Sequence, residues 1–140
     1  MRKLLVALDQ SSRAKLVLER AATLAKAVGA EVFLLRAITL PTGVPDDAYS
    51  MSPGELVERW KADAVRDLEG LAAAFSTDTV VHVLVRTGTP WSAICAAARE
   101  HDADLIVLGA HGYDAVDHIL GTTAAKVVNH ADRSVLVVKP

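Results

Sequence analysis

The chain has 140 residues, a formal net charge of −2 at neutral pH, a pI near 6.2, 51% hydrophobic residues and only 4% aromatics. That length suits one domain with one substantial core, which must be built from Val, Leu, Ile and Ala. The charge balance gives no basic footprint for nucleic acid and no polybasic membrane patch, and no apolar run approaches the roughly 20 residues that span a bilayer.

The opening MRKLLVALDQ has a basic start, but its apolar run stops at Asp9 and no small-residue cleavage site follows. It reads as a first strand, Leu4 to Leu8, and not as a signal peptide. An unbroken apolar run bounded by charge is what a strand covered on both faces requires. Ser11 and Ser12 are N-cap candidates for the next helix, in which Val17, Ala21, Leu24, Ala25 and Val28 recur at helical spacing; Gly29 is placed to end it. Val32 to Ala37 make a second strand.

Thr39 to Met51, TLPTGVPDDAYSM, carries no periodicity and reads as the longest loop, of the kind that often covers a site though many are surface excursions. Ser52, Pro53 and Glu55 then start a helix, as cap, first-turn proline and capping-box acid. Val57, Trp60, Ala64, Leu68, Leu71 and Phe75 step by three and four along one apolar stripe, which makes Trp60 a core residue before a stacking platform. Thr79 to Arg86 alternate as a third strand with His82 on its less buried face, where a metal role has little support. Thr89 and Pro90 open another helix, carrying Trp91, Ile94, Cys95 and Ala98 inward. The lone Cys95 excludes an internal disulfide, fits a reducing cytoplasm, and among its alanines reads as a small buried residue with no base near it.

Leu105 to Leu108 form a fourth strand, followed by GAHGYDAVDHILGTT, residues 109–123. Gly109 and Gly112 let backbone N–H groups approach an anion, and Gly121 with Thr122 and Thr123 supplies a helix N-terminus that favours negative charge. The same glycines could serve only to turn the chain, and neither a P-loop string nor GxGxxG is present. Thr122 doubles as a candidate N-cap; His111 could donate to a phosphate or face solvent. A helix to about Asn129 and a strand Val135 to Val138 complete the chain.

Strands alternating with helices imply an α/β fold: a five-stranded parallel sheet with helices on both faces, Rossmann-like in its winding. With the order 3-2-1-4-5, the winding reverses between the first and fourth strands, where such sheets hold ligands. Asp9 ends the first of these and Gly109 the fourth, so the glycine stretch falls in that crevice.

VALDQSS, GAHG, LGTTAAKVV and SVLVVK, in this order along the whole chain, resemble the universal stress protein family. The resemblance implies one such domain over residues 1–140, an adenine nucleotide alpha hydrolase-like fold, a cytoplasmic stress-response role and a homodimer through the last strand; the residues themselves offer no general base or paired catalytic acids near the glycine turn, which disfavours catalysis. The family's ATP-binding class carries GxxG, nine residues, then Gly with Ser or Thr. Carried over, Asp9 contacts the adenosine part, Ala37 lines the adenine pocket, and Leu108 packs beside the nucleoside. Gly109, Gly112, Gly121, Thr122 and Thr123 hold ribose and phosphates, with Mg²⁺ as a companion of ATP. Two features depart from that pattern: eight residues, Tyr113 to Leu120, separate Gly112 from Gly121, and the linker holds Asp114 and Asp117 with no Lys or Arg. One residue fewer turns a helical segment by roughly 100°, and two acids repel a triphosphate unless Mg²⁺ intervenes or they point away. Lys126, a turn into the helix, is a possible counter-charge. The alternative reading is a nucleotide-free dimeric interaction scaffold of the same fold.

Overall fold

A computed structural model describes residues 2–39, 52–110 and 120–140. Within them the elements run β1 (Lys3–Ala7), α1 (Ala14–Val28), β2 (Glu31–Ile38), α2 (Pro53–Leu71), β3 (Val81–Thr87), α3 (Pro90–Glu100), β4 (Leu105–Gly109), α4 (Thr122–His130) and β5 (Ser134–Val138). All strand pairs are parallel and the order is β3-β2-β1-β4-β5, as the alternation predicts.

Successive side chains of a strand face opposite sides, so the uninterrupted apolar runs feed two cores. Leu4, Val6, Val32, Leu34 and Val107 pack with Val17, Leu18, Ala21 and Ala25 of α1 and Leu68 of α2. On the other side Leu5, Phe33, Leu35, Ile106 and Leu108 pack with Ile94, Cys95, Ala97 and Ala98 of α3 and Ala124 and Val127 of α4. The helices therefore cover the two faces in pairs.

Several helix ends follow their predicted chemistry. Ser52 caps α2, its Oγ accepting the Glu55 N–H at 3.3 Å, with Pro53 in the first turn. Gly29 closes α1 at φ 68°, the left-handed region that an L side chain resists. Others differ. Thr89 occupies the cap position of α3, yet its side chain makes no capping bond. The cap position of α1 is Arg13, not Ser11 or Ser12, because Ser11 turns its donors to Asp9 instead. Val28 is 42% exposed: periodicity gives the face of a helix but not where the surface beneath it ends. The α2 stripe stops at Leu71, and a 3-10 turn over Ala72–Ala74 carries Phe75 into the core.

On the edge strand β3, exposed His82 bonds Glu31 through Nε2 at 2.7 Å and stacks on Phe33. Among the described residues no group of three or more potential ligands could hold a metal, and no helix is long and apolar enough to cross a membrane.

Candidate functional site

The two central strands, β1 and β4, pair through Leu4↔Leu105, Leu5↔Ile106 and Val6↔Val107. From β1 the chain passes through α1 on one face to β2; from β4 it passes through α4 on the other face to β5. The crossovers diverge here, and the gap they leave lies beyond the carboxyl ends of both strands. Asp104 clips the opposite ends together: its Oδ2 accepts the Arg2 and Lys3 amides at 2.7 and 2.9 Å, and its own amide donates to Lys3 O at 2.8 Å. Those backbone bonds hold the exposed Asp104 carboxyl below the usual carboxylate range.

One wall of the gap follows β1. Leu8 is still buried and donates to Leu35 O at 2.9 Å, extending the pairing with β2, and the exposed Asp9 comes next. Asp9 Oδ1 accepts both the Ser11 amide at 2.9 Å and the Ser11 hydroxyl at 2.6 Å. Because Ala7 is level with Leu35, the half-buried Ala37 lies two residues further along β2, at the height of Asp9.

The other wall follows β4. Gly109 is level with Val138 of β5, Ala110 N donates to Val138 O at 3.0 Å, and Gly121 N donates to Ala110 O at 2.7 Å. The residues that leave β4 and those that enter α4 are thus tied together at the strand's carboxyl end. Gly121, extended at φ −63° and ψ 165°, is the cap of α4; Thr122, predicted as a possible cap, is instead the first helical residue. The helix places its first bond from Ala125 N to Gly121 O at 2.9 Å. The amides of Thr122, Thr123 and Ala124 precede it, and helix geometry provides them no intrahelical acceptor.

Asp9, Ala37, Gly109, Gly121, Thr122 and Thr123 therefore stand on the same carboxyl side of the sheet. Leu108 does not open into the gap: at 3% exposure it belongs to the core under α3 and α4 and serves as floor. His111 and Gly112, the acids of the linker, and all but Thr39 of the loop predicted over Thr39 to Met51 lie outside the described residues. Chemically, the walls offer a carboxylate acceptor on one side and amide donors at a positive dipole end on the other. A ligand with hydroxyl or amino donors at one end and negative charge at the other matches both.

The partnership of Ser11 with Asp9 escaped the reading of the sequence, although an acid followed two residues later by Ser is the pattern of a side chain closing its own turn. Arg36 also stands out. It is the one buried charged residue among those described, 7% exposed within β2 beside Leu34, Leu35 and Ala37, and it reaches Asp67 of α2 at 3.2 Å.

A single parallel sheet wound outward in both directions from its central strands, with the gap at the reversal, defines a doubly wound α/β protein. The chain belongs to the universal stress protein family, whose model matches residues 1–139. A universal stress protein of Synechocystis is 29% identical over 149 aligned residues, covering 98% of this chain and 97% of that one. The structure of UspA from Lactobacillus plantarum superposes with a TM-score of 0.77 at 27% identity, covering 98% of this chain and 97% of its own. Two further structures share the fold: a universal stress protein in complex with cAMP (TM-score 0.69, 24% identity, coverage 99% and 96%) and one from Archaeoglobus fulgidus in complex with dAMP (TM-score 0.63, 22% identity, coverage 99% and 98%).

Proposed function

We propose that this protein is a cytoplasmic stress-response module that binds an adenine nucleotide, ATP foremost, between β1 and β4, and acts through occupancy and not catalysis. The observation that carries this reading is the tie between Gly121 and Ala110, which brings the N-terminus of α4 to the carboxyl end of β4, one strand from Asp9. The adenosine end meets Asp9 and Ala37, and the phosphates meet the amides at Gly121 to Thr123. The two fold relatives in complex with adenine mononucleotides support the ligand class. Asp114 and Asp117 in the linker make Mg²⁺ the expected companion of a triphosphate, since a divalent ion offsets their repulsion. A micromolar site, about −8 kcal/mol, would be mostly filled by cellular ATP, so the nucleotide-bound form is the expected resting state.

The reading includes a homodimer. β5 is an edge strand and its Leu136 is 39% exposed, an open apolar edge that pairing with a second copy across a twofold axis would cover. Mass spectrometry of gently purified protein tests the whole: a co-purifying adenine nucleotide is the expected result, and a clean nucleotide-free dimer would favour the scaffold reading. By calorimetry Gly112→Val should abolish ATP binding in a folded protein, and unchanged binding would refute the assignment. A monomer in sedimentation at micromolar concentration would contradict the dimer.

A further inference from the structure

We infer that Ser11 is a positioning residue of the nucleotide site, acting through Asp9; this rests on the reading of Asp9 as a ligand of the adenosine part. Asp9 is exposed on the short connection between β1 and α1, where an unrestrained carboxylate samples several rotamers and must be ordered before it can bind anything. Ser11 removes that freedom. Its hydroxyl and its amide both donate to the same oxygen, Oδ1, at 2.6 and 2.9 Å, and two donors on one oxygen fix both side-chain torsions of Asp9. The contact with a charged acceptor makes these bonds the strong kind.

The hydroxyl is itself held. Its proton is committed to Asp9, and its oxygen accepts the Arg13 amide at 3.3 Å. Arg13 O in turn accepts the amides of Leu16 at 3.1 Å and Val17 at 3.3 Å in the first turn of α1, and Val17 is buried in the core. A chain of bonds therefore runs from the packed helix through Ser11 to the carboxylate; among the described residues Oδ2 has no partner, and it is the oxygen to be offered to a ligand. Ser11 touches no ligand atom in this arrangement; it sets the direction from which Asp9 accepts.

Ser11→Ala keeps the amide bond and deletes the hydroxyl bond, so Asp9 pivots on one contact. ATP affinity measured by calorimetry should fall about five- to tenfold: the bond is present with and without ligand, so what is lost on binding is the cost of ordering the freed carboxylate, only a fraction of the bond itself. Ser11→Thr, which restores the hydroxyl, should return within about twofold of the starting affinity, and Ser11→Cys, a poor donor of similar size, should resemble Ala. The deciding readout is a double-mutant cycle. In an Asp9→Ala background, Ser11→Ala should cost nothing further.

An equal loss in that background would show that Ser11 acts on the fold or directly on the ligand, and would overturn the inference. So would unchanged binding by Ser11→Ala alone, or by Asp9→Ala alone, in a protein that binds ATP. Failure of the unsubstituted protein to bind any adenine nucleotide would instead sink the underlying site assignment, and the inference with it.

Discussion

Arg133 precedes β5, and its side chain, 17% exposed, holds the end of α3. Its Nη1 donates to Ala98 O and Ala103 O, each at 2.8 Å, supplying a charge to carbonyls at a helix C-terminus where the dipole is negative. Ala98 O has a second donor in the Ala103 amide at 2.9 Å, so in Arg133→Met the Ala103 carbonyl suffers most. Two bonds to a charged donor are worth about 1.5–3 kcal/mol each. The Met stem retains part of the packing, and water can replace part of the lost bonding. The ion pairs with Asp132 and Asp102, whose side chains are 53% and 93% exposed, add little. The net loss should be about 2–4 kcal/mol, or a fall in Tm of about 6–12 °C at roughly 3 °C per kcal/mol for a chain of this size. Thermal melts followed by circular dichroism read it directly, with Arg133→Lys expected between the two because one ammonium cannot reproduce the forked geometry. Since α3 ends and β5 begins at the opposite end of the sheet from Asp9, nucleotide affinity well below the melt should stay the same. A Tm change under about 2 °C would show that the two carbonyl bonds carry no net stability and refute the reasoning.

The backbone bonds from Arg2 and Lys3 lower the folded-state pKa of Asp104 beneath its unfolded value of about 3.9, so its contribution is present above that value and is lost as pH falls through the folded pKa. Asp104→Asn should therefore lower Tm at neutral pH and converge with the unsubstituted protein in acid; a constant difference across pH would exclude this origin. Burial, the largest influence on the Cys95 thiol, pushes its pKa up, ahead of the lowering by Arg99 and the smaller raising by Asp132. A chromogenic disulfide reagent should leave it unmodified in the native state at neutral pH and titrate it in denaturant, while rapid native modification would contradict its placement. Leu136→Lys should shift sedimentation toward monomer without lowering Tm measured on the monomer, and an unchanged dimer would move the interface away from β5.

Much of the fold was legible because its strands are covered on both faces: runs such as LLVAL and LIVL admit few other readings, and Ser52, Pro53 and Gly29 mark helix ends by their own chemistry. What escaped depended on choices between local partners or on distant ones. Nothing in Asp9-Gln10-Ser11 alone decides whether Ser11 caps α1 or serves Asp9, and at Gly121-Thr122 the glycine took the cap that the threonine could have filled. The bond from Asp104 to Arg2 spans 102 positions and that from Arg133 to Ala98 spans 35, distances over which no local pattern speaks. Arg36, inside VFLLRAI, would have been placed near the surface by its charge alone. Of the site, both walls could be seen in outline, since the acid after the first strand and the glycine-threonine start of α4 bracket the reversal of winding. The role of Leu108 could not, because facing the gap or the core depends on strand parity at its last residues.

The most direct test of the nucleotide crevice is an amide NMR titration of the isotope-labelled protein with ATP and Mg²⁺. Saturable shifts are expected at Asp9 to Arg13, Ala37, Gly109, Ala110 and Gly121 to Ala124, with the amides at the far end of the sheet, around Asp104 and Arg133, unmoved. Shifts absent at millimolar ATP, or confined to another surface, would contradict the crevice.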